Sequence, residues 1–186
     1  MSKKTPAARS KRSSRPSKRS GAAPTVSAMP MPPDWWDLLR RLQEHRVRYL
    51  VIGGHAVSVH ASPRLTEDLD ILVEPTLTNG KRLRAALLDF GLGSFAPRAQ
   101  ELLGHDVFWQ FGRKPLRIDV LTHVPAVVFA AAWKRRGTAR FGDVDVAVIG
   151  IEDLIANKRA SGRPKDLVDV EALERARMQT RSKARR

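Results

Sequence analysis

The stretch from Tyr49 to Pro75, YLVIGGHAVSVHASPRLTEDLDILVEP, most restricts how this chain folds. Tyr49-Leu50-Val51-Ile52 is a short apolar run, and it ends at Gly53-Gly54. The small residues from His55 to Ala61 continue as a helix. Asp68-Leu69-Asp70-Ile71-Leu72-Val73 then reads as a strand in which two aspartates alternate with apolar residues. A strand repeats every two side chains, so Asp68 and Asp70 leave from one face and Leu69, Ile71 and Val73 from the other. Two adjacent carboxylates repel each other and are costly to bury unpaired. A cation between them answers both problems, and Mg²⁺ prefers such hard oxygen donors.

The remaining pattern places helices and strands around this unit. Trp35, Leu38, Leu39 and Leu42 recur at helical spacing, with Asp34 expected as the cap of a helix reaching about His45. Leu77 to Phe90 predicts a helix with Leu83, Ala86, Leu87 and Phe90 inward, and Ala99 to Leu103 a helical turn. Asp106–Phe111 and Leu116–Leu121 predict a hairpin, as do Thr138–Phe141 and Val144–Ile149 across Gly142-Asp143. Val127–Arg135 and Ile151–Ala160 are expected helices, and Pro164 suits the first turn of a last helix ending near Arg177. Strands interleaved with helices leave α/β and α+β both open.

Ile52-Gly53-Gly54, a spacer of thirteen residues, Asp68-Leu69-Asp70-Ile71 and a later Ile118-Asp119-Val120 follow one another in the chain. In that order they resemble the nucleotidyltransferase fold of the DNA polymerase β superfamily, over roughly Leu38 to Leu173. Small stand-alone bacterial nucleotidyltransferases are the most similar members, among them toxins of toxin–antitoxin pairs. The resemblance selects an α+β fold: a short mixed sheet flanked by helices, a helical C-terminal segment and basic tails. It implies that Asp68, Asp70 and Asp119 are the catalytic, metal-holding acids. Asp68 and Asp70 would hold Mg²⁺ against a triphosphate, and Asp119 would complete a second metal site and orient or deprotonate the attacking hydroxyl. Two such ions stabilise both the attacking and the leaving oxygens of an in-line displacement.

Nucleotide-binding residues follow from the same comparison and from local chemistry. Gly53 and Gly54 let the backbone approach a ligand, and the helix they open offers free N–H groups to phosphate. An ordinary tight turn is the plainer account of the pair. Arg64-Leu65-Thr66-Glu67-Asp68 matches the family's Arg-x-Thr-x-Asp, so Arg64 would grip a phosphate and Thr66 would brace the metal ligands or the loop. The plainer roles are an ion pair with Glu67 and a turn hydroxyl. His60-Ala61 stands where relatives often carry His-Gly. His55 and His60 are too far apart on a helix to share a metal, so each reads as a core or hydrogen-bonded residue. Lys158 to Asp169 resembles a Lys…Arg-x-Lys-Asp-x-x-Asp segment. Lys158 would neutralise triphosphate charge, with Lys165 and Asp166 anchoring the last helix. Asp166 and Asp169 also suit a helix N-terminus.

The net charge of +15 suggests polyanions only until it is divided by region. Residues 1–32 carry eight Lys/Arg and no acid, residues 175–186 six and none, and the chain between them twenty basic against nineteen acidic residues. The basicity therefore belongs to tails, expected over 1–33 and 178–186, on either side of one domain over 34–177. Such tails gather nucleic acid non-specifically or remain solvated. The first tail has too few large apolar residues to order itself. The chain has no cysteine and so no disulfide or thiolate site. No run is long and apolar enough for a membrane span, and no apolar segment follows the basic start as in a secretory signal. A cytoplasmic protein is the expectation.

The sequence thus predicts transfer of an NMP from an NTP, ATP among the candidates, with release of pyrophosphate. The base preference stays open, and so does the acceptor, whether RNA, protein or small molecule. A toxin role, with an antitoxin as partner, is the narrower form of this reading. The rival is a non-catalytic nucleic-acid-binding protein on a degenerate form of the fold. The complete acid triad argues against that rival.

Overall fold

The structure is a computed structural model, which describes residues 32–104 and 106–183. The expected N-terminal tail, apart from its last two residues, lies outside the described residues, as do the last three of the C-terminal one.

Local sequence accounts for most elements. Helix α1 (Pro33–Glu44) starts on a proline at its first turn, where the missing N–H costs nothing. Pro32 is its N-cap, with no side-chain cap bond, so Asp34 lies inside the first turn rather than capping it as expected. Trp35, Leu38, Leu39 and Leu42 are all buried. Strand β1 (Tyr49–Val51) leads through Ile52 into α2 (Gly53–His60), and β2 (Asp68–Val73) follows. Thr76 caps α3 (Leu77–Asp89) by accepting a hydrogen bond from the Asn79 N–H. The expected turn at Ala99–Leu103 is a short 3₁₀ helix.

Strands β3 (Phe108–Phe111) and β4 (Arg117–Leu121) form the first hairpin, and β5 (Gly137–Phe141) and β6 (Val144–Val148) the second. Between the hairpins lies α4 (Phe129–Arg135). Helix α5 (Ile151–Ser161) ends on Gly162 in the left-handed region, at φ 65°. Helix α6 (Pro164–Lys183) runs past Arg177, the expected end. Long-range ion pairs explain the extension: Arg177 and Arg181 reach Glu152 on α5 at 2.9 and 3.1 Å.

The six strands form one mixed sheet in the order β3-β4-β2-β1-β6-β5. The fold is α+β, as the resemblance implied. β2 lies in the middle of the acidic half of the sheet, antiparallel to β1 and parallel to β4. Leu69, Ile71 and Val73 of β2 and Ile118 and Val120 of β4 are buried on the face opposite the aspartates. Among the described residues no helix is long and apolar enough to cross a membrane.

His55 sits in this core, 2% exposed, with its Nε2 unpartnered. The ring meets Trp35 edge to face, centroids 5.2 Å apart, and has Phe141 at 6.1 Å. Burial pushes its pKa down to about 4. The neutral ring therefore contributes stability that is complete above the unfolded value near 6.5 and is lost as pH falls towards 4. The loss is about 3 kcal/mol at most. Urea unfolding from pH 7 to 4 should show a steeper decline for the parent than for His55→Phe; parallel curves would mean the ring protonates without cost.

Candidate functional site

The parallel pairing of β2 with β4 sets the site. Asp70 and Asp119 are register partners, as are Asp68 and Arg117. All four side chains therefore share one sheet face. Gln110 of the edge strand β3 is the register partner of Asp119, and its Nε2 donates to Asp119 Oδ1 at 3.1 Å. The three predicted acids are thus brought together on one face.

The strand-to-helix junction closes in beside them. Gly53 has φ 63°, and a Cβ there would lie 2.0 Å from Asp70 Oδ2. Glycine is demanded twice, by backbone conformation and by contact. A Cβ on Gly54 would lie 2.8 Å from Thr66 Oγ1, so the second glycine makes room for the loop before β2. The Thr66 hydroxyl donates to the Asp68 carbonyl at 3.3 Å, which braces that loop as expected. The first N–H groups of α2 have no intrahelical acceptors and open beside the Asp70 carboxylate.

A cleft of about 390 Å³ joins these parts. Gly53, Gly54, Arg64, Thr66, Asp68, Asp70, Asp119 and Lys158, all the predicted site residues, line it. Residues that the sequence reading did not single out stand there as well, among them Arg117 and the half-exposed ring of Phe108.

Arg117 is the cation nearest the acids. Its Nη2 lies 2.6 Å from Asp68 Oδ2 and 3.1 Å from Asp119 Oδ2. Its period-two position before Asp119 was the available signal, since side chains two apart on a strand share a face. Asp68 Oδ1 is buried with no partner. Asp70 has the acids on either side, and its pKa is pushed up to about 6. Burial is the main cause, followed by the charges of Asp119 and Asp68, with Lys158 and Arg117 acting in the opposite sense.

Lys158 occupies the cleft wall in a different way from that expected. It is 4% exposed, and its Nζ lies 2.6 Å from Asp166 Oδ1 and 3.0 Å from Asp169 Oδ2. Asp169 also pairs with Arg64, and Asp166 with Arg163 at 2.5 Å. Arg64 thus faces Asp169 rather than Glu67, which pairs with Lys114 at 3.2 Å. Burial raises the Asp166 carboxyl, but hydrogen bonds and charge from Arg163 and Lys158 outweigh it and hold the pKa below the usual range. Three cations share two carboxylates, so this wall keeps one positive charge towards the cleft. It also ties the loop before β2 to α5 and α6. His60 is turned away from this chemistry and bonds the Ile149 carbonyl at 2.6 Å.

The family model described as a nucleotidyltransferase of unknown function (DUF6036) matches residues 37–177, which spans α1 through most of α6. The chain belongs to this family. No curated protein matches.

The oxygen-only donor set, the orphaned Asp68 Oδ1 and the crowded Asp70 fit a divalent cation of the Mg²⁺ type. As they stand, no three acids or histidines among the described residues are gathered closely enough to ligate one. The Arg117 guanidinium lies between two of the three.

Two outcomes follow for this nucleotidyltransferase. The raised Asp70 pKa means that its contribution to stability is complete below the unfolded value of 3.8 and is lost as pH rises through about 6. In divalent-free buffer, Asp70→Asn should therefore stabilise the fold by about 1–3 kcal/mol at pH 8 and give no gain at pH 3.5, read by urea unfolding. Lys158→Ala leaves Asp166 and Asp169 buried with one cation fewer. It should destabilise by about 3 kcal/mol, the low end for breaking a buried pair, because Arg163 and Arg64 remain. A melting temperature equal to the parent's would show that Lys158 is not needed to hold the two aspartates.

Proposed function

We propose that this nucleotidyltransferase moves an NMP from an NTP to a hydroxyl or phosphate acceptor and releases pyrophosphate, in the manner of the DNA polymerase β superfamily. The observation that supports this best is the register of Asp70 opposite Asp119, with the Gly53 backbone packed against the Asp70 carboxylate. A sheet that only scaffolds has no reason to place two acids opposite each other beside a helix N-terminus.

Asp68 and Asp70, with Asp119, would hold Mg²⁺, two ions in the full arrangement. Bound there, Mg²⁺ would supply charge compensation for the phosphates and for the attacking oxygen. The α2 N-terminus at Gly53-Gly54 receives phosphate oxygens, since its N–H groups and dipole both favour an anion. Arg64, Lys158 and their carboxylates form the wall that bounds the triphosphate, and the surplus positive charge there offsets part of it. Asp119 lies on the side away from the glycine junction, held by Gln110, where it orients the attacking group. Thr66 keeps the loop before β2 in place through the Asp68 carbonyl.

The acceptor follows from none of these residues; RNA, protein and small molecules remain its candidate classes. The toxin form of the reading, with an antitoxin partner, rests on the resemblance to toxin-type members. Nucleic-acid contacts by the basic tails, and the cytoplasm as the place of action, are proposals that rest on charge and composition.

The test is transfer of label from each α-labelled NTP, with Mg²⁺, to RNA, protein and small-hydroxyl acceptors, with pyrophosphate release measured in parallel. Asp70→Asn should lower transfer by more than about a hundredfold. Asp119→Asn should lower transfer comparably while sparing NTP affinity better than Asp70→Asn does. Nucleic-acid binding that is unchanged in both variants, with no pyrophosphate released by the parent, would favour the non-catalytic reading.

A further inference from the structure

Arg117 is held differently from Arg135 and Arg163, which also pair with buried acids. Arg135 grips Asp153 with two nitrogens, Nε at 3.0 Å and Nη2 at 2.6 Å, the fork geometry that gives guanidinium–carboxylate pairs their strength. Arg117 spends one nitrogen, Nη2, on both Asp68 and Asp119, while its Nε is buried with no partner. A single shared nitrogen fixes little geometry and leaves donors over. The acids are also left short: Asp68 Oδ1 has no partner, and Asp70 faces two like charges. One positive charge serves three carboxylates, because the nearby Lys158 is already committed to Asp166 and Asp169. The guanidinium thus sits where a divalent cation would have to sit to bridge the same oxygens.

We propose that Arg117 is a displaceable counter-ion that competes with the divalent cation for Asp68 and Asp119, and that a metal–nucleoside triphosphate resolves the competition. The metal takes the carboxylates and the phosphate oxygens take the guanidinium. This inference rests on the triphosphate reading above. A bare divalent cation must expel the guanidinium into water with no anion to receive it. A bare triphosphate must draw Arg117 away and leave the acids uncompensated. The two together satisfy every charge, so each should strengthen the binding of the other. Arg117 suits the exchange because a guanidinium recognises carboxylate and phosphate with the same fork.

The experiment is titration of the full chain with Mn²⁺ alone, followed by free-ion resonance, and again with a non-hydrolysable NTP analogue present. The parent, Arg117→Gln and Asp70→Asn are compared after circular dichroism shows equal folding. The parent should bind Mn²⁺ weakly alone and about tenfold or more tightly with the analogue. Arg117→Gln should bind Mn²⁺ alone more tightly than the parent and gain little from the analogue. A variant that tightens Mn²⁺ equally with and without the analogue has merely lost a repelling charge, and the competition would be wrong. Equal Mn²⁺ binding by parent and Arg117→Gln, abolished by Asp70→Asn, would overturn the competition and leave the metal site standing. No carboxylate-dependent Mn²⁺ binding in any mixture would remove the metal site itself. If Arg117→Gln does not fold, the parent decides: Mn²⁺ affinity unmoved by the analogue overturns the proposal.

Discussion

Mutual repulsion among Asp68, Asp70 and Asp119 is the constraint that the rest of the site answers. Register sets it: β2 and β4 run parallel with Asp70 opposite Asp119, so the acids leave the same face of neighbouring strands. Apolar packing on the reverse face, through Leu69, Ile71, Ile118 and Val120, keeps that register from slipping. A slip by one residue would bring the acids to the core side, where unpaired charge is least tolerable. The fold thus spends core burial to hold like charges together, which is the usual sign that a site has a use for them.

Two answers to the repulsion are visible, and they differ in permanence. The network of Arg64, Asp169, Lys158, Asp166 and Arg163 is dense, with its lysine and both carboxylates buried, and it joins three parts of the chain. Such a network, once all its members are satisfied, rigidifies its surroundings. Arg117 contributes a single nitrogen, shared between Asp68 and Asp119. One is scaffold, and the other is poised at the place where ligand charge would arrive.

The legibility of this molecule follows the range of the forces involved. Local patterns were readable: the period of Trp35, Leu38, Leu39 and Leu42, the glycine pair opening α2, and the alternation of Asp68 and Asp70. Caps were less so. Asp34 has the right chemistry for one, but the neighbouring prolines start the helix earlier. Ion-pair partners were not readable from local pattern, although the resemblance did bring Asp119 to Asp68 and Asp70. The segment from Lys158 to Asp169 stood out, but its pattern does not say that the ammonium turns to Asp166 and Asp169 rather than into the cleft. Nothing near Arg177 says that Glu152 will hold the last turns of α6. The strand period did offer Arg117, and attention to acids alone passed over it.

The wall network also decides what the smallest working version of this chain is. Leu173 and Val170 are the buried apolar residues of α6, and by that measure the helix is a modest addition to the core. Its carboxylates matter more. A chain ending before Asp166 would leave the Lys158 ammonium inside the cleft wall and Arg64 beside it, with no anion for either. Water would have to enter to solvate them. The lower limit on length is therefore electrostatic: α6 is the counter-charge of a wall formed earlier in the chain, and the domain is complete only when that charge is delivered.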